Sequence, residues 1–296
     1  MSIVLPPRFF ARALRQAPLV LLRGSIATVV MAIFFVVTQD FHLFPGLYTG
    51  SVINQMSVPP ADVEALSTTA LDGATVHVWR HTAKEAWIGE APPTVALLFH
   101  GNAESLGSFV ALQRWLAAAG VTSYSVEYRG YHGRFSGWPS EKGFYADADA
   151  AFELVSKREP LSSAKQLLVV GNSIGTGVAA YVAGKYQAGG IILLAPYAHL
   201  GELVAETALI GHLAPFLWYE FPTAQYVAQL RDACAIIAHG TADRIIGAHH
   251  SESILRSAHS SVRTTFLRKD AVGHNDLLGN VHGEVIATLR SCWTAK

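Results

Sequence analysis

Gly171-Asn172-Ser173-Ile174-Gly175 fits the G-x-S-x-G turn that raises a serine hydroxyl above a sheet edge, and the chemistry of such a serine is nucleophilic attack on a carbonyl. A serine hydroxyl attacks poorly unless a base takes its proton, and the base needs an acid to hold its tautomer and balance its charge. Downstream, His239-Gly240-Thr241-Ala242-Asp243 follows an apolar run and makes Asp243 the candidate acid. Ala271-Val272-Gly273-His274-Asn275-Asp276 follows the next run and makes His274 the candidate base. Taken singly, an aspartate in a loop is a turn-former and a histidine a surface or core residue. Three such residues in the order serine, aspartate, histidine, each just beyond an expected strand, reverse that reading. Asp276 lies too near His274 in the chain to reach the far ring nitrogen and is read as a helix-capping or surface residue.

A tetrahedral oxyanion needs two preorganised donors. The amide of Ile174, next after the serine, is one; the second is assigned to the amide of Asn102 in His100-Gly101-Asn102-Ala103, with Ala103 as the alternative. His100 is read as structural, since one base suffices. The chain has thirteen histidines, but the His249-His250 pair and the rest show no ligand spacing, so neither a metal nor another cofactor is expected.

The elements that must carry these residues are visible as alternation. Thr94 to Phe99, Thr122 to Tyr128, Gln166 to Val170, Gly190 to Ala195, Ala233 to Ala238 and Arg263 to Leu267 read as strands, with amphipathic segments such as Leu106 to Ala119 and Glu141 to Lys157 between them. That pattern predicts a mostly parallel sheet with helices on both faces, its catalytic groups beyond the carboxyl ends of the strands. Glu64 to Ala70 and Thr75 to His81, joined through Asp72-Gly73, read as an antiparallel hairpin. His199 to Leu230 breaks the alternation. Its apolar side chains are either a helix pair in the core or a short cap over an acyl pocket, in which case Leu213, Phe216, Leu217 and Trp218 touch substrate.

The 296 residues carry a formal net charge of zero with no basic cluster in the body of the chain, which removes the electrostatic footprint of nucleic-acid binding. Cys234 and Cys292 are too few for a disulfide framework and are expected as core thiols. The N-terminus differs in kind. Gly24 to Gln39 is apolar and as a helix spans about 24 Å; adding Pro18 to Leu22 extends it across a hydrocarbon core of roughly 30 Å, with Arg23 reaching back to the headgroups. Phe41, Phe44 and Tyr48 are expected as an aromatic belt. Arg8, Arg12, Arg15 and Arg23 precede the apolar stretch and no Lys or Arg follows until Arg80, which puts the N-terminus in the cytoplasm and the following domain outside. A cleaved signal peptide is the rival, but Thr38-Gln39-Asp40 offers no small-x-small cleavage site. The expected organisation is a basic N-terminus and membrane anchor over 1–45 and one domain over 46–296, with the cap at about 199–230.

The blocks His100-Gly101-Asn102-Ala103, Tyr128-Arg129-Gly130-Tyr131 through Gly137-Trp138-Pro139-Ser140-Glu141, Gly171 to Gly177, His239 to Asp243 and Gly273-His274 resemble the α/β-hydrolase superfamily. They are most similar to its bud-emergence-46-like branch, which includes α/β-hydrolase domain-containing proteins 12, 13 and 17. The resemblance runs from about Leu66 to the C-terminus. It implies an α/β-hydrolase fold and a serine hydrolase of acyl esters, lysophospholipids or S-acyl thioesters, with Ser173, Asp243 and His274 as its triad. Two positions depart from the family's pattern. His132 stands where glycine is usual, near the expected pocket mouth, and is kept as a substrate-contact candidate; Asn172 stands where arginine is common. A peptidase on the same triad, or a non-catalytic membrane scaffold that kept the fold, are the competing functions.

Overall fold

The computed structural model describes residues 29–46, 58–84, 94–102, 104–131, 136–159, 161–208 and 210–294. Eight strands form one sheet in the order β1-β2-β4-β3-β5-β6-β7-β8. The hairpin β1 (Glu64–Thr69) and β2 (Thr75–His81) is antiparallel, and β2 joins β4 (Thr122–Val126) antiparallel as well. From β4 onward every pairing is parallel, through β3 (Val95–Phe99), β5 (Leu167–Asn172), β6 (Gly190–Leu194), β7 (Cys234–Gly240) and β8 (Arg263–Lys269).

Both faces of the central strands are apolar because both are covered, and the two-residue period sorts the side chains between two cores. Val95, Leu97, Phe99, Leu167, Val169, Ile191 and Leu193 face the core that also holds Phe144, Val155, Val178 and Val227. Ala96, Leu98, Leu168, Val170, Ile192 and Leu194 face the other, with Leu112, Leu116, Val281 and Leu289. The helices are α1 (Gln39–Leu43), α2 (Val110–Ala118), α3 (Glu141–Arg158), α4 (Gly175–Tyr186), α5 (Leu200–Ala205), α6 (Thr223–Val227), α7 (His249–Ser257) and α8 (Leu277–Thr294). Ser140 starts α3 by accepting the Gly143 amide at 3.0 Å, and Lys157 and Arg158 complement the dipole at its other end.

The expected strands all form. Their ends shift where motif residues belong to the ladder: β5 runs on through Gly171 and Asn172, and β7 through His239 and Gly240. The described part of the 199–230 stretch is made of short helical pieces. It holds α5, a 3₁₀ segment Gly211–Phe216 and α6.

The cysteines are buried as expected but are not thiols: Cys234 on β7 and Cys292 on α8 form a disulfide, with Cα atoms 6.1 Å apart. Packing α8 across β7 brings together two residues 58 positions apart, which spacing alone does not reveal. Among the described residues no helix is long and apolar enough to cross a membrane. Residues 1–28, which hold the expected basic N-terminus and the first half of the expected span, lie outside the described part. Residues 29–37 are helical and lead into α1. Phe44 leaves the expected aromatic belt. It is fully buried and packs edge-on against Phe144 and Tyr219, because the chain turns into the core after α1. Tyr48 lies outside the described residues.

Candidate active site

Ser173 sits between β5 and α4 with φ of 51°, a left-handed backbone that costs a non-glycine residue roughly 1–2 kcal/mol. Two close approaches force the turn. A Cβ at Gly171 would come within 2.5 Å of the Gly175 carbonyl oxygen, and one at Gly175 would collide with that of Phe99 on β3. The flanking glycines are therefore what lets α4 start tight against the sheet and lift Ser173 above it. The Ser173 amide donates to Leu194 O at the end of β6, fixing the turn from the other side.

Above that turn, His274 Nε2 lies 3.0 Å from Ser173 Oγ, and His274 Nδ1 lies 2.6 Å from Asp243 Oδ2. An ionised carboxylate only accepts, so the ring proton sits on Nδ1 and the Nε2 lone pair faces the serine hydroxyl. The Asp243 carboxylate is buried and saturated. Its Oδ1 accepts the Ile245 and Ile246 amides at 2.8 and 2.9 Å, and Oδ2 lies 3.3 Å from His239 Nε2. Burial works to raise its pKa, but the His239, His274 and backbone donors outweigh it and hold the carboxyl well below the usual range.

His239, whose role no local pattern discloses, supports that carboxylate. It is buried, takes Ser251 Oγ on Nδ1 at 2.7 Å and lies against Ile246 O at 2.9 Å, and so fixes the loop that carries Asp243. Glu104 was missed as well. Its two oxygens accept the Gly101 amide at 2.6 Å and Asn172 Nδ2 at 2.9 Å, tying the loop after β3 to the serine turn. That contact also gives the short amide of Asn172 a use.

Asn102 and Ile174 both border the cavity at Ser173. The Asn102 side chain is clamped on both sides: Tyr131 donates to its Oδ1 at 2.6 Å, and its Nδ2 donates to Leu43 O at 2.6 Å. Ala103 and His132 lie outside the described residues. Asp276 is exposed and its carbonyl accepts from Asn280 Nδ2 at the start of α8, in keeping with a surface role.

His100 is structural, as expected. It is buried, with Nε2 2.8 Å from Glu127 Oε1 and Nδ1 2.8 Å from Gly101 O. Burial opposes its charged form, but the Glu127 charge and hydrogen bond win and raise its pKa above the ordinary imidazole value. A raised folded-state pKa stabilises fully below the unfolded value of about 6.5, and that contribution is lost as pH rises through the folded value. The denaturant midpoint of wild type should therefore exceed that of His100→Gln by more at about pH 6 than at about pH 9. An equal gap at both would show that the pair is not ionised.

The cavity holds about 470 Å³. Its apolar wall is Leu43 from α1, Leu200, Leu203 and Val204 from α5, then Ile210, Tyr197, Ile245 and Ile246. Leu213, Phe216, Leu217 and Trp218 do not line it. The α5 turn, not the later aromatic stretch, lies over Ser173, and Phe216 and Trp218 point to solvent. The wall residues from α1 carried no sequence signal, because nothing local reveals that an N-terminal helix returns to the sheet edge.

His249 and His250 do converge with Glu206, at 2.7 and 3.4 Å from its carboxylate oxygens. The Ala198 amide donates to His250 Nδ1, which leaves the ring proton on Nε2 toward Glu206 and gives no lone pair there for an ion.

A family model described as Hydrolase_4, serine aminopeptidase S33, matches residues 90–233. The uncharacterized protein Rv2307c of Mycobacterium tuberculosis is 30% identical over 264 residues, 88% of this chain and 89% of its own. Alpha/beta hydrolase domain-containing protein 17B of Xenopus laevis is 29% identical over 196 residues, 66% of this chain and 64% of its own. Among solved structures, the Pyrococcus furiosus esterase Pf2001 superposes with a TM-score of 0.61 at 14% identity, over 81% of this chain and 98% of that one, a likeness of fold. The serine turn at the end of β5, the parallel order from β4 to β8 and these relatives lead to one conclusion: the chain belongs to the α/β-hydrolase superfamily, in one family with the mycobacterial protein Rv2307c.

Proposed function

We propose that the protein is a membrane-anchored serine hydrolase that cleaves acyl esters or thioesters through an acyl-enzyme on Ser173. The observation that carries this is the hydrogen-bonded chain Ser173–His274–Asp243 opening on a largely apolar cavity. In the first half-reaction Ser173 Oγ attacks the acyl carbonyl while its proton passes to His274 Nε2. The imidazolium that forms is balanced by Asp243, and the oxyanion is held by the Ile174 and Asn102 amides. Collapse breaks the bond to the alcohol or thiol, which leaves with the proton from Nε2. Water then repeats the sequence on the acyl-enzyme and frees the acid.

A peptidase on the same residues is the second reading, favoured by the family model's description as serine aminopeptidase. An aminopeptidase needs a carboxylate for the substrate's ammonium group. Among the described residues Glu104 is the carboxylate that borders the cavity, and both its oxygens already accept internal hydrogen bonds. That, with the aliphatic wall, supports acyl substrates. A panel of nitrophenyl esters, acyl thioesters and aminoacyl nitroanilides should show turnover of the first two and little of the third; the reverse ranking would replace the acyl reading.

We further propose a single-pass anchor with its N-terminus in the cytoplasm and the hydrolase domain on the other side. The arginines before the apolar stretch support this, and so does the Cys234–Cys292 disulfide, since such bonds persist in oxidising compartments. Digestion of the domain by protease added only from the cytoplasmic side would overturn that orientation.

A further inference from the structure

The helix that enters the domain is apolar on nearly every side. Of residues 29–37, Val29, Val30, Met31, Ile33, Phe34 and Val37 each expose more than half of their surface. A helix apolar all round belongs in a protein core or in a bilayer, and this one packs little of itself on the domain. One turn on, the chain changes character. Gln39 is buried and accepts the Trp218 amide at 2.8 Å, Asp40 accepts from Tyr219 Oη at 2.5 Å, and His42 and Leu43 line the Ser173 cavity. The boundary between solvent-facing apolar helix and domain therefore falls between Val37 and Gln39.

Large apolar side chains are exposed beside that boundary, where the Trp218 amide meets Gln39 and Phe41 meets Trp138. Phe41, Trp138, Phe216 and Trp218 are 47–59% exposed, and Phe41 meets Trp138 edge-on at 6.0 Å. They come from α1, from the loop before α3 and from the segment after α5, so no local sequence pattern joins them. Val37 and Phe41 are four residues apart, about 6 Å along a helix, which is the depth of the headgroup layer beside the hydrocarbon. Tryptophan at that depth belongs to an interfacial belt, with its apolar body toward lipid and its indole N–H toward the headgroups, and phenylalanine adds buried apolar area. Farther along the chain, Ile245 is itself exposed and belongs to the cavity lining, so the cavity rim is apolar as well.

We propose that the face built by Phe41, Trp138, Phe216 and Trp218 rests in the headgroup layer of a lipid bilayer, and that the acyl substrate passes from the membrane into the Ser173 cavity beside His42 and Leu43. The occupant is a lipid surface for two reasons. The face continues directly from the apolar helix, and the chain N-terminal to that helix carries Arg8, Arg12, Arg15 and Arg23, which complement anionic headgroups of the opposite, cytoplasmic leaflet and so argue that the helix itself has a bilayer around it. The route rests on the acyl-hydrolase reading of Ser173; the docking face does not.

The full-length protein is placed in phosphatidylcholine–phosphatidylglycerol vesicles and compared with Trp138→Gln/Trp218→Gln and Trp138→Phe/Trp218→Phe. Water-soluble nitrophenyl acetate reports the chemistry and the fold, and nitrophenyl palmitate dissolved in the vesicles reports delivery from lipid. The Gln pair should keep the acetate rate within about twofold and lose about tenfold on the palmitate, and the Phe pair should recover most of that loss. Brominated lipid should quench wild-type tryptophan emission, and the quenched component should vanish in both pairs. A palmitate rate unchanged in the Gln pair, or quenching by aqueous acrylamide but not by bromolipid, overturns the proposal. So does a dimer in wild type that the Gln pair dissolves without change in palmitate hydrolysis, since the face would then bind a second copy. If Ser173→Ala hydrolyses both esters as wild type does, the acyl-enzyme reading fails, while the quenching still decides the docking face.

Discussion

Ser173→Ala should lower kcat for nitrophenyl esters by about 10⁴- to 10⁶-fold and abolish labelling by a fluorophosphonate. The hydroxyl removed is the one 3.0 Å from His274 Nε2, and no other hydroxyl is brought to that nitrogen among the described residues. Alanine leaves the backbone at φ 51° as strained as before, so denaturant stability should hardly move, and a lost signal then reports chemistry and not unfolding. Asp243→Asn should cost about 10⁴-fold by a different route. Its carboxylate accepts from His274, from two amides and from the side of His239; an amide in its place presents donors to a nitrogen that already carries a proton, and the His274 tautomer reverses. Fluorophosphonate labelling should slow in that variant without vanishing, because Ser173 remains. Unchanged turnover and labelling in Ser173→Ala would sink the acyl-enzyme. A scaffold that kept the fold would show itself as equal complementation in cells by wild type and Ser173→Ala.

The parts of this site that the sequence disclosed are those whose function imposes local chemistry. Gly171 and Gly175 are required by approaches of a few ångströms, and Asp243 and His274 follow apolar runs whose periodicity marks the ends of β7 and β8. What stayed hidden depends on packing between distant segments. Leu43 reaches the cavity because α1 folds back over the sheet edge, and its carbonyl holds Asn102, 59 residues away. Leu213, Phe216, Leu217 and Trp218 share the apolar character of a pocket lining, yet hydrophobicity does not distinguish a cavity wall from the core packing of Leu213 and Leu217 or from the exposed face at Phe216 and Trp218. The choice between them is made by α5, a helix of 6 residues with too few positions for a period. The disulfide is of the same kind, fixed by the crossing of α8 over β7.

Asp147→Ala should destabilise the protein by about 3–5 kcal/mol, the cost of stranding a buried charge. Asp147 is fully buried on α3 and Arg129 nearly so. The guanidinium donates to Asp147 at 2.7, 3.0 and 3.1 Å, the Arg129 amide adds a further bond at 3.0 Å, and Asp72 in the β1–β2 turn takes the remaining edge at 2.5 and 3.1 Å. Burial alone would depress Arg129, but the hydrogen bonds to Asp147 and Asp72 hold its pKa above the ordinary value. Asp72 is half exposed, so Asp72→Ala should cost about 1 kcal/mol or less. Replacing both buried partners, in Arg129→Met/Asp147→Ala, should recover much of the loss, because the penalty lies in the unpaired charge more than in the missing attraction. The effect reaches the site through the backbone. Two residues after Arg129, Tyr131 donates to Asn102 Oδ1, and Asn102 carries one of the two amides proposed for the oxyanion. Asp147→Ala should therefore lose ester turnover at denaturant concentrations where β5 and α4 remain folded, seen as activity falling before far-ultraviolet dichroism. Coincident loss of the two signals, or a midpoint within about 1 kcal/mol of wild type, would show that the ion pair neither anchors the 128–131 loop nor supports Asn102.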